Sequence, residues 1–167
     1  MADEPRHLVR TKALRPEEAA HLRHPLNPRS DIRLHSLGDR AGMKRNQLHL
    51  ARLAPGAESF VPHWHELQEE FVFILEGTGR ATIGDVEVDV GPGDYLGFPC
   101  DGIAHHLRND GTTDLVYLMG GERTALEVSH FPTLGKTAVY DAEGGKFYDE
   151  KTVQTLAYPD FVAKDAS

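Results

Sequence analysis

The chain has 167 residues, 40% of them hydrophobic, with 18 lysines and arginines against 26 aspartates and glutamates and a formal net charge of −8. That length suits one compact domain with an extra arm or two; no apolar run reaches membrane-spanning length, and an acidic balance without a basic stripe argues against nucleic acid as a partner, because affinity for phosphates comes from Lys and Arg. The only cysteine, Cys100, excludes an internal disulfide and any structural zinc site of two or more thiolates, and the charged residues 1–10 lack the apolar stretch of a secretory signal, so a cytoplasmic protein is expected.

Residues 1–46 are the least regular part. Residues 16–22 read as a short helix with Pro16 in its first turn, and Pro25, Asn27 and Pro28 break any continuation. The region is read as an arm lying over the main domain. From about residue 46 the pattern changes to period two. Leu48 and Leu50 share one face of a strand over 47–53, and His49, Ala51 and Leu53 share the other. Residues 70–75 are apolar on both faces, Val72 and Ile74 on one and Phe71 and Phe73 on the other, the mark of a strand covered on both sides. Strands over 80–83 and 86–90 flank a hairpin turn at Gly84-Asp85. Further strands are expected over 95–98, 105–108 and 115–119, and edge strands over 125–128 and 137–140; residues 160–167 read as a fraying end. Many short strands with frequent turns and almost no helix predict an all-β sandwich or barrel.

Two clusters stand out. The first is His63-Trp64-His65, Glu69-Glu70 and Gly77; the second is Gly93, Pro99, Gly102, His105 and Asn109. His63 and His65 are two apart, so in extended backbone both side chains point to one face and Trp64 to the other, as a packing residue. Pro62 suits a strand entry. Glu70 has the parity of Val72 and Ile74, and Glu69 that of Phe71 and Phe73; one of the two should point into the barrel. A hairpin-rich sheet can bring His105 beside this cluster, and His106, of opposite parity, faces away. Neutral imidazoles and a carboxylate are good ligands for Fe, Mn, Zn or Ni. Three histidines and one carboxylate would leave an octahedral ion two positions for water, dioxygen or a chelating substrate. His7, His21, His24, His35 and His130 lie in irregular segments and are expected to face solvent. Cys100 is read as a small buried hydrophobe.

The stretch from Gly56 to Gly77, with His63, His65 and Glu70, resembles the first motif of the cupin superfamily. The stretch from Gly93 to Asn109, with Pro99, Gly102 and His105, resembles the second. Gly56 lies one residue further from His63 than the usual pattern, and Pro99 and Gly102 are separated by two residues instead of one; both changes fall in turns. The resemblance extends through His24-Pro25-Leu26-Asn27-Pro28 and His130-Phe131-Pro132 to single-domain bacterial cupins. It implies a double-stranded β-helix, or jelly-roll barrel, with residues 1–46 as an N-terminal arm, 47–122 as the barrel core and 123–167 as a C-terminal extension. It also implies a divalent metal ion held by His63, His65, Glu70 and His105, a small-molecule ligand in the barrel, and a homodimer, for which Phe71 and Phe73 supply an apolar face in need of cover. The expected function is a metal-dependent enzyme of dioxygenase, isomerase or lyase type, with Glu69 or His49 as candidate base. The alternative is a non-catalytic binding or sensor module.

Overall fold

The computed structural model describes residues 5–154, 156 and 157; the end expected to fray at 160–167 lies outside them. Among the described residues the strands are β1 (Ala20–Leu22), β2 (Ile32–Ser36), β3 (Asn46–Leu53), β4 (Trp64–His65), β5 (Glu70–Glu76), β6 (Gly79–Ile83), β7 (Val86–Val90), β8 (Tyr95–Phe98), β9 (His105–Arg108), β10 (Leu115–Glu122), β11 (Glu127–Phe131), β12 (Lys136–Asp141) and β13 (Gly144–Asp149). A single turn of α-helix, α1 (Leu37–Arg40), joins β2 to β3, with Ser36 accepting from the Asp39 amide at its start.

One sheet has the order β1-β2-β3-β10-β5-β8. The opposing wall consists of β7-β6-β9 and β13-β12-β11-β4, and an antiparallel bridge between His63 and His105 joins the two parts. All the strand ladders are antiparallel. Inward residues of both walls meet in one core: Ile32, Leu53, Ile74 and Leu115 from the first, Ala81 and Leu107 from the second. The result is a jelly-roll barrel, a double-stranded β-helix.

In β5, β6, β8 and β9 the alternation follows the sequence pattern, because one face of each strand is buried and a slip of one residue would turn the apolar side chains outward, whereas in β7 only Val90 is buried. Val72 and Ile74 are buried and Phe71 and Phe73 half-buried. Gly77 is required where β5 turns: its φ is +78°, and a Cβ would collide with the Asp114 carbonyl. Asn109 is wholly buried; its amide donates to the Leu53 and Thr113 carbonyls and accepts from Gly111 N–H at 2.9 Å, so it pins the turn after β9.

The chain ends depart from the expected pattern. The helix expected over 16–22 is a single 3-10 turn at Pro16–Glu18 followed by β1, because Ala20–Leu22 pairs with β2 and a strand partner outweighs weak local helix propensity. Residues 1–46 do more than lie over the barrel: β2 pairs with β3 and sends Ile32 and Leu34 into the core. The strand expected over 125–128 runs Glu127–Phe131. The strand expected at an edge over 137–140 lies inside its sheet, because β13, whose residues are all exposed and show no alternation, pairs along it.

Three histidines expected in solvent are not there. His35 is buried on β2, His24 is half-buried against Phe60, Phe131 and Phe147, and the His130 ring stacks on Trp64 at 4.0 Å. Each belongs to a segment drawn into the fold by pairing that the local sequence does not reveal. Cys100 is exposed, not buried, because the bend before β9 lies outside the barrel.

Glu58 fastens the N-terminal segment to the barrel. It is 4% exposed, accepts from Asn27 Nδ2 at 2.8 Å and pairs with Arg29 at 2.6 Å, and His106 lies 3.5 Å away on the outer face of β9. Burial pushes its carboxyl up, but Asn27, Arg29 and His106 outweigh burial and hold it below the ordinary 4.5. A carboxylate with a lowered folded-state pKa contributes stability that is present above its unfolded-state pKa and lost as pH falls through the folded value. The Glu58→Gln variant should therefore be less stable than wild type by about 1–3 kcal/mol at neutral pH. The gap, read by urea unfolding, should narrow as the pH is taken below about 4.5.

Candidate metal centre

The four residues implied as ligands converge. One ligand atom each from His63, His65, Glu70 and His105 lies within 4.8 Å of the others. Donors on opposite sides of a single transition-metal ion stand about 4 Å apart, so the cluster has the span of one coordination sphere. The backbone explains the convergence. His63 N–H donates to the His105 carbonyl at 3.2 Å and His105 N–H to the His63 carbonyl at 2.8 Å. Residues so paired project to the same face, and the two ring centroids lie 4.7 Å apart. His65 follows by parity, its ring 4.9 Å from that of His63. Glu70 enters from the opposite sheet, its Oε2 at 3.4 Å from Nε2 of both His65 and His105. It is paired with Gly121, where a Cβ would collide with the Glu69 carbonyl, so only glycine lets β10 approach so closely.

Each imidazole is held for ligation. His63 Nδ1–H donates to the Val61 carbonyl at 2.7 Å, which leaves Nε2 as its free lone pair. His65 Nδ1 lies 3.1 Å from Ser129 Oγ and 3.5 Å from Glu127 Oε1. The His105 ring lies flat on Phe98 at 3.8 Å. His65 Nε2 and His105 Nε2 are buried without a hydrogen-bond partner, as expected of atoms arranged to meet a cation. Burial, helped by the neighbouring His105 and His65, pushes His63 down to about 3 and keeps it neutral. Burial works to lower His65, but Glu70 and Glu127 outweigh it and raise this residue. Burial likewise works to raise Glu70, yet the His105 and His65 rings hold it well below the carboxylate range. Imidazole nitrogens beside an ionised carboxylate fit a divalent cation.

The two candidate bases occupy different faces. The Glu69 side chain is exposed, turned away from Glu70 by strand parity. His49 is on the inner face of β3, opposite Met119, and its nearest charges include Asp39 and Arg123 as well as Glu70. Trp64 faces out, as its parity predicts, and His106 points to Glu58.

Beside the cluster is a cavity of about 720 Å³. Its floor includes His63, His65 and Glu70; one wall is the inner face of β11, with Glu127, Ser129 and Phe131. Glu127 is 5% exposed, its Oε1 accepts from the Glu66 and Leu67 amides at 3.1 and 3.3 Å, and its Oε2 is buried without a partner. Glu127 and Ser129 were not singled out from sequence. The signal was the spacing Glu127, Ser129, Phe131 at i, i+2 and i+4, legible only once the strand is known to begin at Glu127.

Replacing His63 or Glu70 by Ala should bring bound metal, measured by elemental analysis after dialysis, to well below one ion per chain. Ser129→Ala should keep full stoichiometry but weaken affinity about tenfold, through loss of the orienting contact to His65.

A family model described as "Cupin domain" matches residues 49–121. A candidate sugar phosphate isomerase from Acidithiobacillus ferrooxidans is 32% identical, with 91% of this chain and 97% of that one covered and a TM-score of 0.86. A cupin-superfamily sugar phosphate isomerase from Silicibacter pomeroyi is 28% identical, with 83% and 90% covered and a TM-score of 0.74. A predicted oxalate decarboxylase from Thermotoga maritima, 23% identical with 66% and 97% covered and a TM-score of 0.55, shares the fold. No curated protein matches. No described helix is long and apolar enough to cross a membrane. With its paired histidine motifs on facing stretches of one jelly-roll barrel, the chain belongs to the cupin superfamily.

Proposed function

We propose that this protein is a metal-dependent isomerase of a small phosphorylated hydroxy-carbonyl compound, of the sugar phosphate class. The observation that carries the reading is a second buried carboxylate, Glu127, on the wall of the cavity that holds the His63, His65, Glu70 and His105 cluster. Two relatives that match most of this chain and bear the name sugar phosphate isomerase support it. The aldose–ketose isomerisation that those names denote makes direct use of such a carboxylate as a base.

Isomerisation moves one proton from C2 to C1 and one from the C2 hydroxyl to the carbonyl oxygen, with no net gain or loss of atoms or electrons. A divalent ion, when bound by the three histidines and Glu70, supplies Lewis-acid polarisation of oxygen. In this reading Glu127, which lines the cavity, takes the carbon-bound proton and returns it at the adjacent carbon. Two backbone amides hold its Oε1, and its Oε2 is left without a partner. Phe60 and Phe131 keep the neighbouring wall apolar, which limits water and strengthens charge interactions inside. Glu69 faces out, and His49 lies on β3, in the same six-stranded sheet as Glu70.

The outer face of β5 and β8, where Phe71 stacks on Tyr95 at 6.0 Å and Tyr95 is 66% exposed, supports a homodimer. Sedimentation velocity should read a dimer for wild type and a lighter species for Tyr95→Lys; a wild-type monomer overturns that part.

The enzyme reading is tested with protein reconstituted separately with Fe²⁺, Mn²⁺, Zn²⁺ or Ni²⁺ and supplied with four- to six-carbon aldose phosphates in deuterated water. Ketose formation with deuterium at C1 is expected on at least one metal. Glu127→Gln should keep its metal and lose about 10²–10⁴-fold in kcat. Saturable binding with no turnover on any metal would identify a sensor or binding module instead.

A further inference from the structure

The metal cluster and Glu127 account for one end of the cavity. The other end is closed by residues 22–25, which follow β1, and by the β12–β13 hairpin. The polar side chains at this end are Arg23, His24, Tyr140 and Asp141, and the Asp141 carboxylate is already paired with Lys146 at 3.0 Å.

His24 is held on every side. Its backbone N–H donates to Ser30 Oγ at 3.1 Å, and the Ser30 hydroxyl donates onward to the Ser59 carbonyl. Its ring packs against Phe131 at 5.5 Å, Phe60 at 6.1 Å and Phe147 at 6.2 Å. Phe60 and Phe131 also touch the His63 ring, so His24 sits across one aromatic layer from a metal ligand. The Leu26 amide donates to His24 Nδ1 at 3.2 Å, which makes Nδ1 the acceptor nitrogen and places the proton of the neutral ring on Nε2. Burial lowers the pKa of His24 and so favours the neutral form. His24 Nε2 is itself buried and has no partner. A buried N–H left unpaired costs about 1–3 kcal/mol, so this donor, on a residue that lines the cavity, calls for an oxygen acceptor. Arg23 stands beside it, 68% exposed, with one guanidinium nitrogen 3.3 Å from Asp31 and further N–H groups to offer.

We propose that His24 and Arg23 form the distal subsite of the cavity and bind the phosphate ester of a substrate whose hydroxy-carbonyl end lies at the metal cluster. This rests on the isomerase reading for the identity of the substrate, and on the His24 geometry for the existence of the subsite. His24 donates its Nε2–H to a phosphate oxygen and thereby sets how far the phosphate stands from the reacting carbons. Arg23 supplies the charge. The subsite selects for an anionic tail and takes no part in proton transfer.

The test is calorimetric titration of the metal-loaded protein with 5-phospho-D-arabinonate and with D-arabinonate, which differ only in the phosphate. Wild type should bind the phosphorylated compound at least about tenfold more tightly. His24→Phe keeps the aromatic wall and removes the donor; it should reduce that preference to within about twofold with metal content unchanged, and His24→Gln should restore part of it. Arg23→Gln, at an exposed position that folding tolerates, should lower the preference about threefold or more. A full preference in His24→Phe, or equal binding of both compounds by wild type, overturns the subsite and leaves the isomerase reading standing. If neither compound binds, the isomerase reading fails, and inorganic phosphate decides the subsite alone. In a long-range ¹H–¹⁵N spectrum it should shift the Nε2 resonance that is missing from His24→Phe; an unmoved resonance overturns the proposal.

Discussion

The two backbone hydrogen bonds exchanged by His63 and His105 are the joint on which the molecule turns. They close the wall opposite the six-stranded sheet by linking β4 to β9. They also set side by side two imidazoles that lie 42 positions apart in the chain. Because residues in such a pair project to one face, the bond that completes the wall is the bond that assembles half of the candidate metal centre. His65 is then fixed by strand parity, and Glu70 by the register of β5 against β10.

The same economy limits what can vary around the cluster. His63 Nδ1 is committed to the Val61 carbonyl and His65 Nδ1 to Ser129 and Glu127, so each ring is turned before any ion arrives. The cost is a group of buried ring nitrogens without partners, which a packed apolar core would not leave in that state. Such local conflict with the rules of folding is characteristic of sites retained for chemistry.

The segments outside the histidine motifs give the barrel its particular mouth. β11 brings Glu127, Ser129 and Phe131 to one wall, and the stretch after β1 brings Arg23 and His24 to another. A common barrel thus acquires a cavity lined by Glu127 and Ser129 on one wall and by Arg23 and His24 on another. In this superfamily the barrel and the four ligands leave the reaction open, so the discriminating information lies in these flanking pieces.

Much of this was legible in the sequence. The spacing His63-x-His65 declares a shared face wherever the backbone is extended, and the opposite parities of Glu69 and Glu70 require one of them to turn inward, with the motif resemblance implying Glu70. Such inferences need only a period of two and a buried face, and both are local properties. The capture of β1 and β2 by the sheet, the placing of Glu127 beside His65, the role of Asn109 as the staple of a turn, and the burial of His24, His35 and His130 were settled only by the tertiary structure. Each depends on pairing between distant segments, such as β11 with β4 or β2 with β3. Nothing in the neighbouring residues encodes which strand will lie alongside, because that choice is made by the whole barrel as it closes over its core.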